Sequence, residues 1–526
     1  MERRAGHDGV APAEVSCQME GGVRPGEGQW APGHIAVLYF FVFWSQFKPS
    51  EPFLVDYLVD SKGFSNHEVF QQVFSLYVYA RMPFNALVGV LSELPGCGSR
   101  GVLVAGAACG LVTALLTRFT AALWCQQAAQ FTVAAAFASR YASLAVAFAL
   151  TPPAHFQRTI HTVRAVLLLS NCCSALLGEV LRDSAGVSLS VLFDIDLVSQ
   201  SLTLLSAVVL VVVGLAASRR APPPSEAPRS REWVSVAEVA EAAVAPPAPR
   251  VVSSWLARAK APAKDLWLYF HLRRILWWTV WAIAMNTAHG IALTYWQNLL
   301  REKGVRNDHN GYLSASMYLA AAVLTAVSRQ SPLLRGHTSA LIVGSMLTSG
   351  FLLCMVVASA QQFAFYCWLL LFQCLFEVMT AVATFQVGSE VSEFCSAGGS
   401  YVSDVPWDAT NMSKDSHRTQ VGRVGAPSSP RLTLLFSVTG ILCGATETIV
   451  QAAVSSTWRS MEPRFLCLGM GLGVVALVLV VARGFEEVAT WRRRTRRRRS
   501  SSGRAHDAQA ANGIVGAIPQ VPLLPS

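Results

Sequence analysis

Long apolar segments, separated by short polar ones, run along most of this chain. A membrane-spanning helix needs about 20 predominantly apolar residues. Twelve segments fit that description, and they fall into two sets of six. The first set covers residues 34–58, 69–92, 101–121, 124–150, 159–182 and 190–217, and the second covers 274–298, 311–328, 337–359, 362–390, 431–455 and 464–483. The pattern therefore predicts an all-α membrane protein with twelve transmembrane helices.

Polar segments divide the chain into five parts. We expect a cytoplasmic N-terminal tail at 1–33, a six-helix bundle at 34–217, a cytoplasmic linker at 218–270, a second six-helix bundle at 271–483 and a basic cytoplasmic tail at 484–526. A polar insertion at 391–430 interrupts the second bundle. Two six-helix halves joined by a polar linker are typical of major facilitator transporters, whose substrate site lies between the halves.

Composition and charge placement favour a membrane protein over a soluble or nucleic-acid-binding one. Hydrophobic residues make up 52% of the chain and charged residues only 14%, well below the roughly 25% of a soluble domain. Much of the net charge of +10 lies in WRRRTRRRR, directly after the last apolar segment. Basic residues beside a span hold that end in the cytoplasm and contact anionic lipid, so we expect a lipid partner and no nucleic acid. The sequence contains no phosphate-binding loop and no metal-type cysteine spacing, so we expect neither a nucleotide-driven pump nor an enzyme, and no cofactor.

Charged residues within the apolar segments are the candidates for function, because a charge in hydrocarbon is costly and is usually retained for a purpose. Five of them stand out: Glu51, Arg140, Arg164, Glu377 and Glu447. Glu51 follows Pro49, which removes a backbone donor and opens a helix. A helix broken at membrane depth lines either protein or a water-filled cavity. We therefore expect Glu51 on a cavity wall, with Lys48 as a neighbour one turn earlier.

The partners of the other charged residues stay open. Arg140 has no carboxylate within reach on its own helix, so it meets either a ligand or another helix, with the first-span glutamate as one candidate. Glu377 and Glu447 are either neutral carboxylic acids or face a cation. Arg158 and Arg164, near the inner end of the fifth span, are expected to act as gate or structural residues.

Four stretches resemble the reduced folate and thiamine carrier family. FWSQFKPSEPFLVDYL is similar to the family's first-span signature, and SRYASLAVAFALTPPAHFQRTIHTVRAVLLLSNCCSALLGEVL to its fourth and fifth spans. ILWWTVWAIAMNTAHG and LFQCLFEVMTAVATFQVGSEVSE resemble the seventh and tenth spans. The resemblance implies a major facilitator fold and uptake of a small water-soluble vitamin across the plasma membrane by alternating access.

The same resemblance implies which residues bind the vitamin. The signature glutamate falls on Glu51. An arginine of folate carriers, replaced by glutamate in thiamine carriers, falls on Arg140 and favours folate. Two further cationic positions of folate carriers are occupied here by Gln373 in the tenth span and Glu447 in the eleventh, which argues against a dianionic folate.

A charge count that does not use the family points toward thiamine. Three glutamates and one deep arginine would give the site surplus negative charge, which suits a cationic or zwitterionic ligand. The alternatives are a carrier of reduced folate or another organic anion, and a membrane scaffold or receptor without transport. Buried glutamates suggest proton coupling, and coupling to an organic anion is the other option.

Overall fold

The computed structural model describes residues 32–65, 67–94, 97–183, 186–220, 264–302, 310–331, 338–396, 431–458 and 460–515. Within these ranges all regular secondary structure is helical, and a helix occupies each of the twelve predicted span positions. The prediction of an all-α protein is confirmed. Most of the predicted tail 1–33, linker 218–270 and insertion 391–430 lies outside the described residues, so the division into five parts stays a prediction.

The first half contains six spans, two of which consist of more than one helical segment. Span one is Pro32–Gln46 followed by short helical turns at Glu51–Phe53, Leu54–Asp56 and Tyr57–Ser61; span two is Glu68–Val73 and Phe74–Leu91; span three is Gly98–Phe119; span four is Leu123–Ala138 and Arg140–Leu150; a turn at Pro153–His155 leads into span five, Phe156–Asp183; span six is Leu189–Arg220.

The second half repeats the six-span arrangement. Its helices are span seven, Arg273–Glu302; span eight, Asn310–Ser328; span nine, Thr338–Val357, with a turn at Ala358–Ala360; span ten, Gln362–Ser396; span eleven, Leu432–Thr457; and span twelve, Met461–Val515. Span ten thus continues six residues into the predicted insertion, and span twelve continues as a helix through the basic segment.

Ten helices of the described ranges are long and apolar enough to cross a membrane, and they coincide with spans two to six and eight to twelve. Spans one and seven are not among these ten helices, each for a local reason. The first helix of span one has only 15 residues before its break. Span seven has 30 residues, but tryptophans and the polar Asn286 and His289 dilute its apolar character. These two polar residues line the cavity described below.

Span one breaks where the sequence predicts it. Its first helix ends at Gln46 and helical structure resumes at Glu51, because Pro49 has no N–H to donate and its ring clashes with the preceding turn. Span four is also interrupted, at Ser139, directly before Arg140. Both interruptions therefore lie beside charged residues at mid-span.

Polar side chains from two other spans hold the break in span one. The Lys48 N–H donates to Ser174 Oγ of span five over 3.0 Å. The Ser50 N–H donates to Asp196 Oδ1 of span six over 3.4 Å, and Ser50 Oγ donates to the other carboxylate oxygen. Because unpaired backbone groups in hydrocarbon cost several kcal/mol each, Asp196 and Ser174 make the break possible.

The two halves are tied together on the side where span one begins, which we call the termini side. There Arg431, at the start of span eleven, forms an ion pair with Glu93, which follows span two. The Arg431 guanidinium also donates to Asp265, before span seven, over 2.7 Å. The hydroxyls of Ser99 and Thr433 share a hydrogen bond of 2.7 Å across the same junction. Polar contacts between the halves therefore help to close this end of the molecule.

A glycine substitution tests whether the broken segment rests directly on span five. A Cβ added at Gly178 would lie 2.5 Å from the Pro49 carbonyl oxygen and 3.0 Å from the Phe53 ring. Because a backbone atom is involved, Gly178→Ala must displace the break, and we expect a loss of about 1–3 kcal/mol of stability, typical of overpacking. The measurement is thermal unfolding of the purified protein in detergent.

Gly350, in span nine, provides the matched control, because a Cβ there would meet nothing within 4 Å. We expect Gly350→Ala to unfold at the wild-type temperature. Equal unfolding temperatures for the two alanine variants would show that span five does not support the break.

Candidate functional site

A cavity of about 480 Å³ lies between the two halves. Its walls come from spans one to six of the first half and from spans seven, eight, ten and eleven of the second. Its volume falls within the roughly 300–1,000 Å³ of small-molecule sites. Toward the termini side the lining includes Phe436, whose ring stacks on that of Phe148 with centroids 6.5 Å apart. A ring pair from opposite halves therefore adds an apolar contact to the polar ones that close this end.

Two ion pairs cross from one half to the other at the cavity. Arg164 of span five pairs with Glu377 of span ten, whose side chain is only 4% exposed. Arg81 of span two pairs with Glu447 of span eleven over 3.4 Å. Both second-half glutamates thus face a cation from the first half. Of the two alternatives left open by the sequence, a neutral carboxylic acid or a carboxylate facing a cation, the structure shows the second.

Lys48 and Arg140 form no ion pair within the described residues, and both lie against one aromatic ring. The Arg140 guanidinium carbon is 3.6 Å from the centroid of the Phe137 ring, and Lys48 Nζ is 5.1 Å from the same centroid. Such cation–π contacts contribute about 0.5–2 kcal/mol and do not neutralise the charge. Two cations that no carboxylate contacts within the described residues therefore lie side by side in the lining.

The structure brings most of the predicted site residues together. Five of them line the cavity: Lys48, Arg140, Arg164, Gln373 and Glu377. Glu447 adjoins the cavity through its ion pair, Pro49 forms the break in span one, and Arg158 is exposed on the termini side. Glu51 is exposed and lies outside the lining, although its charge acts on Lys48 and Arg140.

The charge count made from the sequence omitted cations that the structure places in the lining. That count set three glutamates against one deep arginine, whereas the lining contains Arg81, Arg140, Arg164 and Lys48. Two arginines are matched by glutamates, so the lining residues carry more positive than negative charge, while the carboxylates of Glu51 and Asp196 lie outside the lining and act on Lys48. Arg81 lies in the apolar stretch YVYARMPFNALVG, and the rule that identified Arg140 would have identified it as well.

A hydrogen-bonded chain that the sequence did not predict begins at His289. Its imidazole Nε2 lies 2.8 Å from Gln373 Oε1, and Gln373 Nε2 donates to Glu377 Oε1 over 3.0 Å. The imidazole also stacks on Phe376, with ring centroids 3.5 Å apart and planes within 8°. Spacing along the sequence shows Gln373 and Glu377 one turn apart, but it cannot show which residue of span seven meets them.

A family model described as Reduced folate carrier matches residues 29–397. This chain belongs to the reduced folate carrier family. The match spans most of the two halves, so the resemblance read from the four sequence stretches is confirmed. The family consists of carriers rather than enzymes, in agreement with the sequence prediction.

Several relatives of the family are similar to this chain at low identity. A folate-like transporter of Dictyostelium discoideum is 23% identical over 359 residues, which cover 67% of this chain and 55% of the relative. This chain therefore spans about half the length of that relative. Thiamine transporter 2 of Homo sapiens is 24% identical over 67% of this chain and 76% of its own. The reduced folate transporter of Rattus norvegicus is 24% identical over 68% and 70%, respectively.

A solved structure confirms the fold. The human organic anion transporter MFSD10 matches with a TM-score of 0.52 and 13% identity, covering 86% of this chain and all of its own. At that identity the match supports a shared fold and nothing about function. The reduced folate carrier family member described here is therefore a multi-pass membrane protein with the major facilitator fold.

The ion pair between Arg164 and Glu377 is expected to stabilise the contact between the halves. Breaking a buried pair leaves an uncompensated charge. We therefore expect Arg164→Gln and Glu377→Gln to lower stability individually and the double variant to lose less than their sum. The expected coupling energy is about 1–3 kcal/mol, measured from thermal unfolding in a double-mutant cycle.

The surface pair Arg182 and Asp56, with side chains 45% and 43% exposed, is the control cycle. Exposed pairs couple by about 0–1 kcal/mol. A coupling energy for Arg164 and Glu377 no larger than that of the surface pair would contradict the assignment of a structural link.

Proposed function

We propose that this chain is a secondary carrier that brings an anionic vitamin of the folate class across the plasma membrane by alternating access. The observation that carries the proposal is the pair of unmatched cations, Lys48 and Arg140, at a cavity between the halves. Charge-assisted hydrogen bonds to a carboxylate suit both side chains. Family membership supports a vitamin of this class, and the basic residues after the last span support an orientation with both termini in the cytoplasm.

Electrostatics separates the anionic ligand from a cationic one. Two like charges about 4 Å apart interact by roughly 4 kcal/mol at an effective dielectric constant of 20. A carboxylate beside Lys48 and Arg140 gains attraction of that order, whereas a thiazolium or other cation in the same place meets repulsion. The sequence-based preference for thiamine depended on three acids, two of which are matched by Arg81 and Arg164.

Thiamine remains the second candidate because of two observations. Gln373 and Glu447 occupy positions that are cationic in folate carriers, and Glu51 is an exposed acid whose carboxylate forms no hydrogen bond or ion pair in the described part of the chain. A cationic ligand held at Glu51 would avoid the two unmatched cations. The substrate experiment below therefore includes thiamine.

Alternating access requires the halves to separate where they now meet. On the termini side the junction includes the ion pairs of Arg431, the hydrogen bond between Ser99 and Thr433, the hydrogen bond between His161 and Ser328, and the ring pair of Phe148 and Phe436. Rocking of one half against the other would break these contacts and open the cavity on that side. The polar contacts among them support this motion, since polar groups exchange partners with water at low cost.

Uptake of labelled folate into proteoliposomes tests the proposal. We expect wild-type protein to take up folate, with thiamine a poor competitor. Loss of a hydrogen bond to a charged group costs about 1.5–3 kcal/mol, so Lys48→Gln and Arg140→Gln should each reduce uptake about 10- to 100-fold. Arg140→Glu should reduce it further, because it places an acid beside the ligand's carboxylate.

Arg182→Gln is the control, because Arg182 is an exposed arginine of the first half that pairs with Asp56 outside the cavity. We expect it to transport folate like the wild type. Uptake of thiamine but not folate, or undiminished folate uptake by Arg140→Glu, would overturn the anionic assignment. No uptake of either vitamin would favour a scaffold or receptor.

A further inference from the structure

We propose that Arg81 and Asn85 of span two bind a second carboxylate of the ligand, so that the carrier selects dicarboxylates over monocarboxylates. The inference rests on the proposed carrier function, in which a first carboxylate lies between Lys48 and Arg140, and adds the site of the other acidic group. Arg81 and Asn85 both line the cavity, on its first-half wall.

Three residues of span two lie on one face of its helix. Tyr77, Arg81 and Asn85 follow one another at every fourth position of Phe74–Leu91, and residues four apart are neighbours on a helix surface. All three line the cavity. A phenol, a guanidinium and a primary amide each donate hydrogen bonds, so this face presents three donor groups to a ligand.

The ion pair of Arg81 leaves part of its guanidinium free for a ligand. Arg81 Nη1 lies 3.4 Å from Glu447 Oε2, and the two side chains are 34% and 23% exposed. That distance exceeds the roughly 2.7–2.9 Å of a charge-assisted hydrogen bond. A guanidinium carries five N–H groups, so Arg81 can bind a second carboxylate while Glu447 keeps its own contact.

Asn85 is a buried amide whose donor is unused. The residue is 1% exposed, and its Nδ2 has no hydrogen-bond partner among the described residues. Amides of the second-half wall are satisfied: Asn286 Nδ2 donates to the Ala282 carbonyl over 2.7 Å, and Gln373 Nε2 donates to Glu377 over 3.0 Å. Because a buried donor without an acceptor is unfavourable, Asn85 favours a ligand that supplies one.

Tyr77 connects this face to the site of the first carboxylate. Its ring meets the Phe137 ring edge-on, with centroids 5.6 Å apart, and Lys48 and Arg140 lie against that same Phe137 ring. The charges of Arg81 and Arg140 both act on the Tyr77 phenol, and the charge of Arg81 acts on Arg140. Two groups of cations therefore adjoin one aromatic pair, an arrangement that suits two carboxylates joined by a short carbon chain.

Glu447 has a positioning role whose sign is opposite to that of Arg81. Its carboxylate orients the guanidinium, but its charge repels the ligand's second carboxylate. Glu447→Gln should therefore strengthen binding of a dicarboxylate, whereas Arg81→Gln should weaken it. If the pair served only to link the halves, both substitutions would break the same contact and would act alike.

The ligand itself provides the first test, because either carboxylate of the folate glutamate can be replaced by an amide. Exchange of labelled folate is measured in proteoliposomes against unlabelled folate, its α-monoamide and its γ-monoamide. For the wild type we expect each monoamide to compete about 10- to 100-fold more weakly than folate, because each loses charge-assisted hydrogen bonds at one of the two sites. This measurement needs no variant, so it does not depend on the folding of one.

Variants of span two then show which residues read the second carboxylate. Arg81→Gln should bind folate about 10- to 100-fold more weakly. It should also lose the discrimination against one of the two monoamides and keep it against the other. Asn85→Leu, which removes a donor without changing the charge, should reduce the same discrimination by about tenfold. Glu447→Gln should increase it.

Arg118→Gln is the matched control. Arg118 is an arginine of the first half whose side chain is 25% exposed, and it pairs with Asp194 over 2.6 Å outside the cavity. We expect this variant to bind folate and to discriminate against both monoamides like the wild type.

The results distinguish failure of the carrier function from failure of the second site. Absence of folate exchange by the wild type overturns the carrier function and the second site with it. Folate exchange that only one monoamide, or neither, competes for more weakly than folate overturns the second site and leaves the carrier function standing. Full discrimination against both monoamides by Arg81→Gln, or equal weakening by Arg81→Gln and Glu447→Gln, has the same meaning.

Discussion

The ion pairs that join the two halves at the centre of the molecule decide the character of the cavity. Glu377 and Glu447 would give the site a negative charge if they stood alone, but Arg164 and Arg81 match them. Charges at membrane depth are retained only where they are paired or used. Since both acids are paired, Lys48 and Arg140 are the cations left for a ligand, and the proposal of an anionic substrate rests on them.

The same requirement for partners explains the break in span one. Pro49 frees backbone groups that hydrocarbon cannot satisfy, and Ser174 and Asp196 from spans five and six take them up. The break in turn places Lys48 beside the Phe137 ring and leaves Glu51 on the exposed side. Pro49, together with the distant polar side chains of Ser174 and Asp196, therefore determines where the charged residues of span one lie relative to the cavity.

Much of the fold could be predicted from the sequence, because a spanning helix leaves a long apolar segment whatever its neighbours are. The break at Pro49 and the candidates Arg140, Glu377 and Glu447 could be predicted for a related reason, since charge and proline are rare at that depth. The pairing could not, because it depends on which helix face points inward and which helices touch. Arg81 illustrates this limit of sequence analysis. An arginine within an apolar segment can be identified from the sequence, but the charge balance of the cavity depends on its contact with Glu447. His289 and Asp196 were missed because their roles arise only from residues of other spans.

The structure of the wild-type protein with folate bound would show whether Lys48 and Arg140 bind the ligand. We expect a carboxylate of the ligand between Lys48 Nζ and the Arg140 guanidinium, at the roughly 2.7–2.9 Å of charge-assisted hydrogen bonds, with both inter-half ion pairs intact. A ligand bound elsewhere, with Lys48 or Arg140 paired to Glu51 instead, would contradict it.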